Sequence, residues 1–287
     1  MKEIGILYDR VRWEEKALIK ASNKLGFTPK PVNSKEIYID TLEGVEKLRE
    51  EFGQPVIQRC VSYFRGLHMS AALENAGLSV TNPFNVSLIC GNKLFATLAL
   101  IKAGVPVPKT FLAFTEEGAL KGLENLGYPA VMKPVVGSWG RLIALVKDKD
   151  SAQALVESRK EMRNALLQIY YLQEYVNRPP RDIRVMVVGG EVVAASYRYS
   201  PQDEWRTNVA RGGVSKPCPL TSELEEVALK AAHAVGGGVL AVDCMESPDR
   251  ILVHEVNSTV EFRGLSSTTH INIAEKIIEY AVKVAEG

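Results

Sequence analysis

Apolar positions in this chain fall into short continuous runs and into helically spaced sets, and each pattern predicts an element. Residues 4–8 form an uncharged, mostly apolar run closed by Asp9, which reads as a buried first strand. Ala17, Leu18, Ala21 and Leu25 recur on one helical face, and Gly26 stops that helix. A strand near 27–32, a charged helix around 43–51, a strand over 55–60 and a helix over 66–76 ending at Gly77 continue the alternation. Such alternation predicts a parallel α/β unit over the first ninety residues. It contains no GxGxxG, so a Rossmann-type nucleotide fingerprint is absent.

After about Asn92 the pattern changes. A helix over 93–103 ends at Gly104, and the Val-Pro-Val-Pro that follows is extended, since proline disfavours helix at the residue before it. The spacing then predicts a strand over 110–114, a helix over 116–126, strands over 130–133 and 141–147, and a helix over 151–164. Strands over 171–176, 183–188 and 191–198 follow, with Gly189-Gly190 as a tight hairpin turn. A helix over 222–235, two strands over 238–245 and 250–256 joined by Ser247-Pro248-Asp249, and a helix over about 272–285 complete the chain. Hairpins mixed with helices make this part α+β.

Composition narrows the function classes. The 287 residues are 46% apolar and 24% charged, which excludes a disordered chain and allows about two domains. Thirty-five basic residues against 34 acidic ones leave +1, so no global field favours nucleic acid. The uncharged stretch 75–92 is broken by Asn82, Pro83, Asn85 and Gly91 and is no membrane span. The apolar run at 4–8 is too short for the core of a signal peptide. Cys60, Cys90, Cys218 and Cys244 show no CxxC spacing, which favours neither zinc nor a disulfide framework, so the cytoplasm is the expected compartment.

Four clusters carry candidate chemistry. Lys133, at a strand end, precedes Gly137-Ser138-Trp139-Gly140; glycines let backbone N–H groups cradle phosphate oxygens and the lysine adds a point charge. A plain β-turn with a surface lysine competes with that reading. Glu174 ends a strand, with Val176 and Asp182 beyond it; this could hold an adenine edge and ribose hydroxyls, or be two solvated strand-end charges. Arg178, Arg181, Arg184, Arg198, Arg206 and Arg211 crowd one stretch without a lysine. The nearby acids Asp182, Glu191, Asp203 and Glu204 are too few to pair them all, which favours anion binding over a salt-bridged surface. Asp243 lies in an apolar run, and Glu255 and Asn257 share one face of the next strand. Three oxygen ligands suit Mg2+, against the alternative of strand-end carboxylates near a turn. His68, His233, His254 and His270 have no ligand spacing and receive no role, and no G-x-S-x-G supports nucleophilic hydrolysis.

The order of these clusters resembles the ATP-grasp superfamily of carboxylate–amine ligases, and within it the RimK-like branch and its LysX family. The carrying residues are KPVVGSWGRL, the segment Pro180-Arg181-Asp182-Ile183-Arg184, WRTNVARGG and EVNSTVEF. The resemblance implies an ATP-grasp fold behind an N-terminal parallel α/β pre-ATP-grasp domain, divided as 1–90, 91–175 and 176–287. It implies that Lys93, Lys133, Gly137, Ser138, Trp139, Gly140, Glu174, Val176 and Asp182 bind ATP, and that Asp243, Glu255 and Asn257 hold Mg2+, two ions in all. Arg198, Arg206 and Asn208 would surround the γ-phosphate and an acyl phosphate. Thr259, Glu261, Phe262, Arg263, Ser267, Thr268 and Thr269 would meet the amino-acid substrate, although the hydroxyls could equally cap the last helix.

The implied reaction activates the C-terminal glutamate of a small acidic amino-group carrier protein as an acyl phosphate and couples it to α-aminoadipate, in lysine biosynthesis. A glutamate-specific or bifunctional ligase of arginine biosynthesis, and a nucleotide-binding regulator without chemistry, are the alternatives. A homo-oligomer with no membrane or nucleic-acid partner is expected. The loop has fewer glycines than many relatives.

Overall fold

The computed structural model describes residues 2–200 and 214–286; Arg206, Asn208 and the rest of the 205–213 motif lie outside the described residues. The first part alternates β1 (Glu3–Tyr8), α1 (Trp13–Lys24), β2 (Thr28–Asn33), α2 (Val45–Phe52), β3 (Val56–Gln58), α3 (Tyr63–Asn75) and β4 (Val80–Thr81). These strands make one parallel sheet in the order β2-β1-β3-β4, as the alternation predicts. Gly26 and Gly77 follow α1 and α3 at φ of 80° and 89°, the left-handed conformation that lets a helix end within one residue.

Next comes a bent pair, α4 (Phe84–Gly91) and α5 (Lys93–Lys102). Helix α4 is not predicted by the pattern, because its uncharged sequence has no polar face and so no helical period to detect. Asn92 separates the two, and its side chain accepts from the Leu94 and Phe95 amides to cap α5. Among the described residues no single helix is long and apolar enough to cross a membrane.

The remaining chain builds two antiparallel sheets. β5 (Thr110–Ala113), α6 (Glu116–Leu126), β6 (Ala130–Lys133), β7 (Ala144–Val146), α7 (Lys149–Glu161) and β8 (Tyr170–Glu174) give the sheet β5-β8-β6-β7, with α6 and α7 packed on it through Ala119, Leu123, Ala152 and Val156. β9 (Arg181–Val188), β10 (Glu191–Tyr199), β11 (Val214–Pro217), α8 (Ser222–Ala234), β12 (Val239–Glu246), β13 (Ile251–Asn257), α9 (Arg263–Ser266) and α10 (Ile273–Glu286) give the sheet β11-β10-β9-β12-β13. Gly189 and Gly190 turn the β9–β10 hairpin at φ of 59° and 90°.

Period-two alternation divides this last sheet into two faces. Ile183, Val185, Val187, Leu240, Val242 and Cys244 form one face, covered by α5 and α8. Met186, Val188, Val239 and Ala241 are on the other, where they pack with Ile4, Ile6, Leu18, Ile277 and Ile278. The first domain is therefore seated on the C-terminal sheet through a shared core. Asn82 fastens the joint: its Nδ2 donates to the carbonyls of Val239 (2.7 Å) and Ser258 (2.6 Å), and its Oδ1 accepts from the Val239 amide (2.7 Å). Asn82→Ala strands buried peptide groups at both ends of this contact, and should lower stability by about 2 kcal/mol or more; the shift in urea midpoint measures it.

Candidate active site

The second face of the C-terminal sheet changes character along its length. Beyond Met186 and Ala241 the same alternation brings up Asp182, Arg184, Arg198 and Asp243. Register sets these against one another: Arg184 lies opposite Asp243, Arg198 opposite Asp182, and Asp243 opposite Glu255 on β13. Arg184 donates to both Asp243 oxygens at 2.8 Å, and Arg198 to both Asp182 oxygens at 2.7 and 2.8 Å. Arg198 also stands 3.1 Å from Asp243, and the Asn257 amide reaches the same carboxylate at 3.3 Å. Burial alone would raise the Asp243 carboxyl, yet Arg184 and Arg198 hold it well below the usual carboxylate range. Burial likewise opposes the Arg198 charge, and Asp182 and Asp243 more than restore it.

Two sequence expectations change here. Asp182 is buried in an ion pair and is no solvated strand-end charge. The arginines also have more acids than their sequence neighbours supply, because the sheet delivers Asp243 to Arg184 and Arg198, and Glu246 to Arg181.

Facing this row is the loop between β6 and β7. Lys133 ends β6 buried, and its Nζ donates to Gln173 Oε1 at 2.6 Å. Gln173 in turn donates to Thr110 and Tyr171 hydroxyls, and Tyr171 hydrogen-bonds Thr97, so the lysine stands at the end of a buried polar chain. Burial, with nearby Lys93 adding to it, brings Lys133 down to about 8, only partly offset by Glu255. Lys93 opens α5, where a cation opposes the helix dipole. It donates to the Gly137 carbonyl at 2.8 Å and lies 3.0 Å from Glu255 Oε1, so one lysine ties the loop to the carboxylate row.

Lys93, Lys133, Gly137, Ser138, Trp139, Gly140, Glu174, Val176 and Asp182 all line one narrow cleft, together with Arg198, Asp243 and Glu255. Its volume, about 80 Å³, is far below the range of roughly 300–1,000 Å³ of ligand pockets, so the cleft is narrow as it stands. Glu174 accepts from the Lys109 amide at 2.7 Å, which fixes the strand end beside the cleft.

His254, to which the sequence assigned no role, also lines the cleft. A register shift between Asp243 and Cys244 turns it there. No sequence pattern announces such a bulge. Its Nε2 is buried without a hydrogen-bond partner, and burial, then the Lys133 charge, hold the ring well below its ordinary value and neutral.

The cleft shares Lys93, Gly137, Trp139, Arg198 and Glu255 with a cavity of about 840 Å³. Asn257, Thr259, Glu261, Arg263 and Ser267 reach this cavity, and the first domain adds Arg12, Gln58 and Tyr63. The Glu261 oxygen Oε1 receives both Arg12 Nη1 at 3.2 Å and Trp139 Nε1 at 3.3 Å, so all three parts of the chain meet on one atom. Phe262, Thr268 and Thr269 do not line the cavity. Phe262 is fully buried and packs edge-on to Trp13. The Ser267 and Thr268 hydroxyls donate to the carbonyls of Gly264 and Leu265 in α9, and Thr269 accepts from the Ile271 amide, so they serve these local turns, while the final helix is capped by Asn272, whose Oδ1 accepts from the Glu275 amide at 3.3 Å.

Among the described residues no three His, Cys, Asp or Glu side chains converge as a metal site. The available set is two opposed carboxylates and an amide. Asp243 and Glu255 stand directly opposite on neighbouring strands, and Arg184, Arg198 and Lys93 offset their mutual repulsion. An all-oxygen set of this size fits Mg2+, which completes its shell with water and phosphate oxygens.

The RimK-like ATP-grasp domain matches residues 90–281, and the LysX preATP-grasp domain matches residues 4–89. Alpha-aminoadipate–LysW ligase LysX of Sulfurisphaera tokodaii is 36% identical over 96% of both chains. Glutamate–LysW ligase ArgX of Sulfolobus acidocaldarius is 33% identical over 96% of this chain and 97% of its own. The RimK domain ATP-grasp protein of Sphaerobacter thermophilus superposes with a TM-score of 0.77 at 23% identity, covering 98% of this chain and 99% of the other.

Lys133 is cationic below about pH 8 and loses its charge above it, and an ammonium is what a polyphosphate attracts. ATP affinity should therefore be full below pH 8 and fall as pH rises through it. Lys133→Ala should weaken binding without unfolding the chain and flatten this dependence. Calorimetric titration across the range measures both.

Proposed function

The chain belongs to the RimK-like ATP-grasp family and is an ATP-grasp ligase forming a C–N bond, and from that premise we propose that it joins α-aminoadipate to the C-terminal glutamate of a small acidic carrier protein resembling LysW. The observation that carries the reading is the lining of the cleft itself. Two lysines and a glycine loop stand against a row of arginines and carboxylates, with a large cavity continuous with it on the side of the EVNSTVEF segment.

In this reading Lys93, Lys133 and the residues 137–140 bind the phosphates of ATP, and Glu174, Val176 and Asp182 hold its nucleoside. Asp243, Glu255 and Asn257 would hold Mg2+, which supplies positive charge against the transferring phosphoryl group. Arg198, with its charge secured by two buried carboxylates, offers a fixed cation where negative charge develops on the activated acyl group. Arg206 and Asn208 are proposed for the same region. Arg263, Thr259 and Ser267 contact the amino acid from the cavity wall, and the first domain contributes through Arg12. The working division remains 1–90, 91–175 and 176–287.

A glutamate-using or bifunctional enzyme is the second reading, supported by the similar identity to an ArgX protein. The two amino acids differ by one methylene, which a pocket distinguishes by only about 1–3 kcal/mol. With purified carrier, kcat/KM should be higher for aminoadipate than for glutamate, with detectable glutamate turnover. A preference for glutamate of about tenfold, near 1.4 kcal/mol, moves the enzyme to the arginine branch. Glu255→Gln should abolish ADP formation dependent on amino acid. Since the chain carries only +1, carrier attraction must come from local cations; carrier-dependent activity should fall with ionic strength more steeply than ATP binding does.

A further inference from the structure

Arg159 lies on α7, away from the carboxylate row, and is only 5% exposed. No carboxylate among the described residues pairs with it. Its guanidinium donates instead to two backbone carbonyls: Nη1 to Lys133 at 3.2 Å and Nη2 to Leu142 at 3.1 Å. Lys133 is the last residue of β6, and Leu142 stands just before β7. Between them run residues 134–141, the whole of the phosphate loop. One buried side chain therefore grips both ends of the loop and nothing in its middle.

The cost of this arrangement argues that the grip matters. A cation removed from water without an anionic partner is expensive, and burial brings this guanidinium down to about 10. A methionine or leucine would fill the same space more cheaply if packing were all that is needed. The loop it holds is also strained. Trp139 and Leu142 sit at φ of 57° and 56°, a left-handed conformation that residues with a Cβ rarely adopt. The strained Leu142 is the one whose carbonyl Arg159 takes. On the opposite side Lys93 holds the Gly137 carbonyl and, through its own amide, that of Val135 at 2.8 Å. The loop is thus fixed from α5 at its first half and from α7 at its two ends.

We propose that Arg159 is a positioning residue for nucleotide binding: it clamps the ends of the 134–141 loop at hairpin width, and so sets where Lys133 and the loop amides meet the phosphates. The ATP part of this inference rests on the ligase reading; the clamp does not. Arg159 touches no reacting atom and acts through the loop backbone. Lysine at this place offers a single nitrogen and cannot reproduce the fork in which Nη1 and Nη2 each meet one carbonyl.

The experiment compares wild type with Arg159→Met and Arg159→Lys. Limited trypsin cleavage after Arg141, read by mass spectrometry without nucleotide, reports loop order directly, because Arg141 is exposed inside the loop. Calorimetric titration with ATP reports binding, well below each variant's melting temperature. Arg159→Met should cut faster at Arg141 and bind ATP about tenfold or more weaker, because a loop released at its ends must be ordered on binding, with Arg159→Lys between it and wild type. A cleavage rate at Arg141 equal to wild type in both variants overturns the clamp, even if melting temperature falls. Faster cleavage with unchanged ATP affinity overturns its role in nucleotide binding. If Arg159→Met does not fold, Arg159→Lys alone decides on the same two readouts. Absence of ATP binding by wild type overturns the ligase reading, while the cleavage rates still judge the clamp.

Discussion

A carboxylate carried into the middle of an apolar strand must be compensated or expelled, and Asp243 is compensated by two guanidiniums at once. Arg184 takes it across the β9–β12 pairing and Arg198 reaches it from β10. That requirement constrains much else. Slipping β12 by one residue would send Asp243 to the apolar face that Val242 and Cys244 now occupy, so the charge and the hydrophobic pattern specify the same register. Breaking such a buried pair by removing one partner is strongly destabilising, whereas its net contribution when intact is modest. The row is better understood as a device for specificity and for concentrating charge at one place than as a source of stability.

The same sheet face serves two purposes because its strands are apolar at one end and charged at the other. At the apolar end, Met186, Val188, Val239 and Ala241 receive the first domain; at the charged end stand the ion pairs. The first domain therefore cannot settle on the sheet without bringing Arg12 and Gln58 to the cavity wall. Glu261 links that domain to Trp139 of the loop, so the cavity is bounded by all three parts of the chain.

Much of this was legible in the chain. The parallel alternation of the first ninety residues, the Gly189-Gly190 hairpin and the helices flanking each sheet follow from periodicity and turn chemistry. The nine residues assigned to nucleotide binding by resemblance all reach one cleft. What was not legible has physical causes. The uncharged α4 has no polar face and so no detectable period. Acids distant in sequence became partners of Arg181, Arg184 and Arg198 because strand pairing, not proximity along the chain, sets a residue's electrostatic company. His254 faces the cleft through a bulge, and bulges leave no trace in residue type. Phe262 and the Thr268 and Thr269 hydroxyls were expected to meet the substrate, but Phe262 is consumed by the core and the hydroxyls by local turns. Their chemistry was compatible with either fate, and only their placement decides between them.

The Asn82 carboxamide offers a last consequence. Its amide group presents one donor and one acceptor to Val239, as a neighbouring peptide would, so a side chain stands in for a strand at the joint. The space it occupies is taken from Gly238, where a Cβ would come within 2.3 Å of Asn82 Oδ1, at a φ of 115° that side-chain-bearing residues rarely adopt. Asn82 and Gly238 are therefore matched parts of one fitting, although 156 positions separate them in the chain (238 − 82). A first domain transplanted from a relative would dock less tightly unless it brought a residue shaped like Asn82 to this point. The modularity visible in the sequence, two domains in tandem, is in this respect only apparent: the parts are interchangeable in kind but keyed in detail.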